Sequence, residues 1–347
     1  MRNLATIQRI IDIKPIPNAD AIEVAQILGW HVVIKRNEFK VNDLCVYVEI
    51  DSLLPHWPEF EFLASSNYRI RTVRLRGQVS QGICFPLSIL EGKKFKDDTR
   101  ENPKYELYEG YDVTGLLQIE KYEPAIPACL SGLAIGYFPS FIPTTDETRI
   151  QSMPEILTKY KWQRFYVTEK CDGSSCTIFI KDNNFGVCSS GLQLAEDDKN
   201  SFWKVVKQNN IEEKIRSLDM NIALQGELVG EGIRGNKLGI KGHDIYFFTA
   251  FDIDEYKFMD GPDLLSMLMT LGLKMVPIID ANYKLPLTVD ELVAFVQRKS
   301  EINPNVWIEG GVFRPHIEII DTEIKLLHAN RLSFKCINPN FLLKYNE

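Results

Sequence analysis

The chain has 347 residues, 45% of them apolar, and a formal net charge of −7. That length and composition can bury a sizeable core and suit two domains, while the negative balance excludes a uniformly basic nucleic-acid coat but leaves room for a local basic patch. The longest apolar stretch, LLSMLMTLGLKMVPII near residues 264–279, is interrupted by Thr270 and Lys274 and falls short of the ~20 residues a membrane helix needs.

The N-terminal MRNLATIQRIIDIKPIP alternates polar and apolar residues. It lacks the apolar core and small-residue cleavage site of a signal peptide and is read as the start of a folded domain. Residues 1 to about 120 then give short strands separated by turn signals: LATIQRIIDIKPI, AIEVAQILG, WHVVIKR, DLCVYVEI, YRIRTVRLRG and QGICFPLSI. Such spacing predicts a small all-β barrel. Within it, PIPNADAIEVAQILGWHVVIK followed by FKVNDLCVYV resembles the opening of the tRNA-binding type of OB-fold.

No acidic residue lies between Glu61 and Glu91, while YRIRTVRLR supplies Arg69, Arg71, Arg74 and Arg76. Strand alternation puts Arg69 and Arg71 on one face and Arg74 and Arg76 on the other. The phase therefore breaks near Thr72 and Val73, at a bulge or a strand end. A bulge would let the four guanidinium groups converge; otherwise they are four solvated surface charges.

The charged stretch KKFKDDTRENPKYELYEGYDVTG reads as an excursion and linker, dividing the chain into domains 1–123 and 124–347. PSFIPTTDETRIQSMPEILTKY then looks like a loop entering a helix, with Thr or Asp as its cap. RFYVTEK, SCTIFIKDNNFGVCSS, NIALQGELVG and DIYFFTAFDID are strand-like, and helical stretches fall at about 198–216, 261–271 and 288–299, so the second domain is α+β. GEGIRG at 230–235 matches G-x-G-x-x-G, but a strand rather than a helix follows, which excludes a dinucleotide fingerprint. Seven cysteines, at 45, 84, 129, 171, 176, 188 and 336, form no C-x-x-C pair and have no nearby histidine pairs. This usage predicts reduced thiols in an intracellular protein, in cytoplasm or nucleus, and argues against a zinc site.

FYVTEKCDGSS at 165–175 is a strand that ends on Lys170 and turns through Asp172 and Gly173. On turn chemistry alone this is an ordinary hairpin with a solvated lysine. Further along come LQGELVGEG with Glu227, FFTAFDI with Phe248, WIEGGVFRP with Glu309 and RLSFKCIN with Lys335. In that order the K-x-D-G box, the later glutamate, F-x-x-F-D-I, E-G-G-V and F-K-x-I-N resemble five motifs of the covalent nucleotidyltransferases, which include ATP-dependent DNA and RNA ligases and mRNA capping enzymes. Only 12 residues follow Lys335, so the barrel precedes the transferase domain instead of following it. That order resembles the nick-sealing RNA ligases of the Deinococcus radiodurans type.

The resemblance implies an N-terminal OB-like β-barrel followed by a nucleotidyltransferase (ATP-grasp-like ligase) domain of antiparallel sheets and helices, α+β overall. It implies an ATP-dependent RNA ligase that joins 3′-hydroxyl and 5′-phosphate ends through lysyl-AMP and RNA-adenylate intermediates. Its substrate would be nicked duplex RNA or an RNA/DNA hybrid, and it would act as a monomer with no membrane and no obligate protein partner. Lys170 is the implied nucleophile, Thr168 and Glu169 line the adenine edge, Phe248 stacks on the base, and Asp172 and Gly173 shape the ribose and nucleophile turn. Arg149 joins the nucleotide site, Lys335 contacts the α-phosphate, and Glu227 and Glu309 hold Mg²⁺ or Mn²⁺, largely through the ion's waters.

A free lysine has a pKa near 10.4, so only about one in 2,500 is neutral at pH 7 and able to attack phosphorus. Nearby positive charge, including a divalent metal, favours the neutral amine. The sequence departs from the family at motif Ia, which often reads Ser-Arg-Asn but here has Ser190 and Gly191, and at motif V, where Ile337 stands in place of a second lysine. The barrel arginines could make good that charge by docking on the β- and γ-phosphates, or could bind the RNA backbone. The other readings are a GTP-using capping-type transferase and a non-enzymatic RNA-binding OB protein with an inactive transferase domain.

Overall fold

The computed structural model describes residues 3–96, 98–99, 104–122 and 134–346. Cys129, the expected boundary at 123/124 and part of the charged linker lie outside the described residues. Two compact units emerge: Met1–Pro124 with Gln151–Pro154 and Pro339–Glu347, and Ala125–Ile150 with Glu155–Asn338. Nothing in the sequence pattern marks the two short segments that join the first unit.

The first unit carries β1 (Ala5–Pro15), β2 (Ile22–Ile27), β3 (Trp30–Lys35), β4 (Leu44–Val48), β5 (Ser52–Leu53), β6 (Thr72–Leu75), β7 (Gln78–Gln81), β8 (Ile83–Pro86) and β9 (Glu120–Lys121). Its main sheet has the order β3-β2-β1-β4-β8. The first half of β1 pairs with β4 and the second half with β2, and the register slips between Ile10 and Asp12. A bulge bends a strand and increases its twist, so one long strand serves both halves and the sheet curls into the expected OB-fold half-barrel. Alternating Ala5, Ile7, Val32, Val46 and Val48 fill its core, each large apolar side chain contributing about 1.5–3 kcal/mol on burial. The expected strand YRIRTVRLRG begins only at Thr72, after a 3₁₀ helix over Pro58–Ser66. The phase break is thus a strand end, with Arg69 and Arg71 before it.

The second unit carries β10 (Ala134–Tyr137), β11 (Thr148–Arg149), β12 (Arg164–Lys170), β13 (Ser174–Lys181), β14 (Asn184–Cys188), β15 (Leu192–Leu194), β16 (Ile222–Gly230), β17 (His243–Asp252), β18 (Lys257–Phe258), β19 (Ile278–Lys284), β20 (Gly310–Pro315) and β21 (Phe334–Ile337). A seven-stranded sheet runs β10-β15-β14-β13-β16-β17-β18, and a five-stranded sheet runs β11-β21-β20-β12-β19. Helices Ser201–Gln208, Ile211–Arg216 and Gly261–Thr270 bury Phe202, Val205, Ile215, Leu264 and Leu268 against Ile178, Leu224 and Phe247 of the larger sheet. The first of these helices starts where the Asn200 side chain accepts from the Phe202 N–H, satisfying a donor that would otherwise be orphaned. On the smaller sheet, Phe165, Phe313 and Phe334 pack ring to ring, and helix Val289–Val296 opens with a capping box between Thr288 and Glu291. The Thr and Asp of TTDETR do not cap the helix Glu155–Lys159: Thr148 and Arg149 form β11, a 3₁₀ turn follows, and the helix starts after it. Residues 231–242 make turns between β16 and β17 with no helix. No helix among the described residues is long and apolar enough to cross a membrane.

Candidate active site

Lys170 closes β12, and two glycines let neighbouring backbones crowd against it. A Cβ on Gly173 would stand 2.3 Å from the Leu228 carbonyl oxygen and 2.8 Å from Glu227 Cγ. A Cβ on Gly310, which pairs with Lys170, would stand 2.2 Å from the Cys336 carbonyl oxygen. Only glycine tolerates such approaches. The Gly173 N–H donates to Glu227 Oε1 at 3.1 Å, and Lys170 Nζ donates to Glu309 Oε2 at 2.8 Å. Residues 139 positions apart in sequence thus meet directly.

Directly paired residues in a sheet share a face. Lys170 pairs with Gly310, Thr168 with Val312 and Tyr166 with Arg314 across β12 and β20. Val312 in turn pairs with Lys335, and Lys335 with Arg149. One face of the small sheet therefore carries Lys170, Thr168, Lys335, Arg149 and Arg314. Alternation turns Glu169 the other way. Its carboxylate accepts from Ser300 Oγ at 2.6 Å and from the Glu301 N–H at 2.9 Å; burial raises its pKa against those two bonds. Thr168 and Glu169, expected at one adenine edge, are thus separated by strand geometry.

Charge in the site is unevenly compensated. Burial alone would lower the Lys170 pKa, but Glu309 and Glu227, joined by Asp172, hold the ammonium above the usual lysine range. Burial pushes the Glu227 carboxyl up to about 8, opposed by Lys170 and reinforced by Glu309 and Asp172. Burial favours the protonated Glu227 carboxyl, and a divalent cation held beside Glu227 and Glu309 would favour its ionised form instead, which is the fit of these residues to a metal. Among the described residues no three His, Cys, Asp or Glu side chains form a direct ligand cluster, so Glu227 and Glu309 suit an ion that keeps its waters.

Phe248 owes its position to a bulge. Thr249 pairs with Gln225 and Phe247 with Gly226, leaving Phe248 as the extra residue of β17. Phe247 and Phe251 are 1% exposed and belong to the core. Phe248 is half-buried, with the Arg314 guanidinium carbon 5.6 Å from its ring centre.

Spacing gave no sign of several neighbours. Lys237 Nζ lies 2.8 Å from Asp172 Oδ2, Arg234 lowers the Glu227 pKa, and Lys335 Nζ donates to Asp146 Oδ1 at 2.9 Å. Arg314 Nη2 donates to Glu147 Oε1 at 2.5 Å, from a side chain only 1% exposed. Lys237 follows the glycine-rich turns and Asp146 precedes a short strand, so neither falls in a periodic pattern.

The four barrel arginines divide into two pairs. Arg69 and Arg71 line a cavity of about 440 Å³ with Lys121, Tyr122, Ser66 and Asn67. Arg69 donates to Asp51 at 2.9 Å and lies 3.9 Å over the Tyr122 ring. Arg74 donates to the Gly77 carbonyl, and Arg76 occupies the two-residue turn between β6 and β7 with φ of 49°. They do not converge, because the strand begins after Arg71.

The chain matches the RNA ligase family over residues 163–337 and an OB-fold domain over residues 4–87. No curated protein matches it. Among solved structures, Naegleria gruberi RNA ligase with PPi is 36% identical, with a TM-score of 0.84, covering 100% of this chain and 99% of that one. A lysine-to-alanine mutant of that ligase with ATP and Mn is likewise 36% identical, at a TM-score of 0.84 and 98% of each chain. So is a glutamate-to-alanine mutant with AMP and Mn, again at 0.84 and 98% of each.

Proposed function

The chain belongs to the RNA ligase family and is an ATP-dependent RNA ligase, and from that premise we propose that it seals 3′-hydroxyl/5′-phosphate nicks in duplex RNA or RNA/DNA hybrids, with Lys170 as nucleophile. The observation that carries the assignment is the 2.8 Å pair between Lys170 and Glu309, beside Glu227 and on one sheet face with Lys335 and Arg149.

Lys170 gives up a proton, its Nζ bonds to the α-phosphorus of ATP, and the bond from that phosphorus to the pyrophosphate oxygen breaks. An oxygen of the RNA 5′-phosphate then attacks the same phosphorus, the P–N bond breaks, and the lysine is regenerated as the RNA adenylate forms. Finally the 3′-hydroxyl loses its proton, bonds to the RNA 5′-phosphorus and expels AMP. Such transfers depend on positioning and charge stabilisation more than on covalent help. Lys335 contacts the α-phosphate, and Arg149 adds a second cation beside it. Thr168 lines the base, Phe248 stacks on it, and Asp172 and Gly173 shape the turn behind the nucleophile. Glu169, held by Ser300 and Glu301, acts on the adenine edge only through its remaining lone pairs. Glu227 and Glu309 would hold Mg²⁺ or Mn²⁺, which would supply Lewis-acid stabilisation of the phosphate and positive charge near the amine. In the first unit, Arg69, Arg71 and Lys121 with the Tyr122 ring suit a nucleic-acid strand, since cations track its phosphates and a ring accepts a base; Arg74 and Arg76 add phosphate contacts from the hairpin.

Incubation with ATP labelled at the α-phosphate and Mg²⁺ or Mn²⁺ should yield a protein-bound label that survives denaturation. Lys170→Met should lose it, and nicked duplex RNA should discharge it. Discharge by free single strands faster than by a nick would overturn the nick assignment, and retention of label in Lys170→Met would overturn the nucleophile.

A further inference from the structure

Lys335 sits among cations. It pairs in register with Arg149 on β11 and shares a sheet face with Lys170. Its side chain is 13% exposed, burial lowers its pKa, and Lys170 and Arg149 lower it further while Asp146 opposes. Like charges gathered at close range repel, so this group calls for an anion. The carboxylate of Asp146, 2.9 Å away and 49% exposed, supplies one.

An α-phosphate beside Lys170 brings its own negative charge to the same ammonium. It and Asp146 cannot both keep that contact at low cost, because two anions on one cation repel each other. We propose that Asp146 is a positioning residue that holds Lys335 at the phosphate site and is displaced by the α-phosphate of ATP, so that it sets affinity for nucleotide and pyrophosphate. The inference rests on the assignment of Lys335 to the α-phosphate.

The surroundings of Asp146 suit an exchange confined to one side chain. Glu147 is fastened by Arg314 and by Ser333 Oγ at 3.1 Å. Thr148 Oγ1 donates to the Leu326 carbonyl at 2.6 Å, and the Thr144 carbonyl lies 2.7 Å from His328 Nε2. With the backbone tied on both sides, a half-exposed aspartate can swing to another staggered rotamer without moving the loop. Lys335 then keeps a compensating anion throughout, first the carboxylate and then the phosphate.

The test compares the full chain with Asp146→Asn and Asp146→Ala. One assay is the rate of lysyl-AMP formation against ATP concentration, and the other is binding of AMP and of inorganic pyrophosphate. A partly exposed ion pair of this kind corresponds to about a two- to five-fold change. Both variants should lower KM for ATP and tighten AMP and pyrophosphate binding by that factor. Glu323→Gln, which removes one negative charge at a site 82% exposed and paired with Lys159, should leave these constants unchanged. Unchanged or weaker binding in the Asp146 variants would overturn the proposal, as would equal tightening in Glu323→Gln, which would make the effect one of net charge. Failure of the unsubstituted chain to form lysyl-AMP would instead count against the nucleophile assignment.

Discussion

Burial alone would lower the Lys170 pKa, yet Glu309 and Glu227 raise it above the usual lysine range, so the same carboxylates that suit a cation also restrain the nucleophile. The sign of this coupling can be read directly. A lysine whose pKa is raised stays charged up to higher pH, and removing the acid that raises it makes the neutral amine available lower on the pH scale. Glu309→Gln should therefore increase acylation of Lys170 by an amine-reactive reagent at pH 9 without nucleotide, measured by mass spectrometry. The same variant should slow self-adenylylation by about 10–100-fold and raise the Mn²⁺ concentration it needs, because groups that orient a bound ion typically contribute that much. An increase in both reactions would remove Glu309 from the metal site. Chelation of the divalent ion should stop labelling in the unsubstituted chain.

At the scale of elements, β17 decides which aromatic ring is available. FFTAFDI presents Phe247, Phe248 and Phe251 within five positions, and strict alternation would place Phe247 and Phe251 on one face and Phe248 on the other. The slip between Gln225 and Gly226 instead singles out Phe248. Phe248→Ala should weaken ATP binding about ten-fold or more, as expected from base stacking of about 1–3 kcal/mol, with little change in unfolding midpoint. Phe247→Ala and Phe251→Ala should each cost about 3–5 kcal/mol of stability by leaving cavities in the core. Denaturant titration beside nucleotide binding separates the two effects, and a collapse of stability in Phe248→Ala would return that ring to a packing role. Strands and helices of the second unit were legible because their apolar periods are clean. The bulge was not, because a one-residue slip leaves the composition of the strand unchanged.

At the scale of the whole molecule, the two units offer separable chemistry. Arg69→Ala and Arg71→Ala should leave self-adenylylation intact while weakening sealing, with a shallower dependence on salt as phosphate contacts are lost. Loss of self-adenylylation in either variant would favour a role at the β- and γ-phosphates instead. That these two arginines part from Arg74 and Arg76 follows from where β6 begins, at Thr72. The sequence by itself determined a small β-barrel ahead of an α+β domain and the order of the five motifs, because strand period, turn residues and motif spacing are local properties of the chain; Lys170 as nucleophile is what the resemblance of those motifs implies. Tertiary structure alone decided that Asp146 sits on Lys335 and Lys237 on Asp172, that strand alternation directs Glu169 to Ser300, and that Glu227 and Glu309 crowd Lys170 closely enough to keep it charged. Those outcomes depend on which strands and loops meet from distant parts of the chain and on the burial that meeting produces. Neither quantity is carried by any short stretch of sequence.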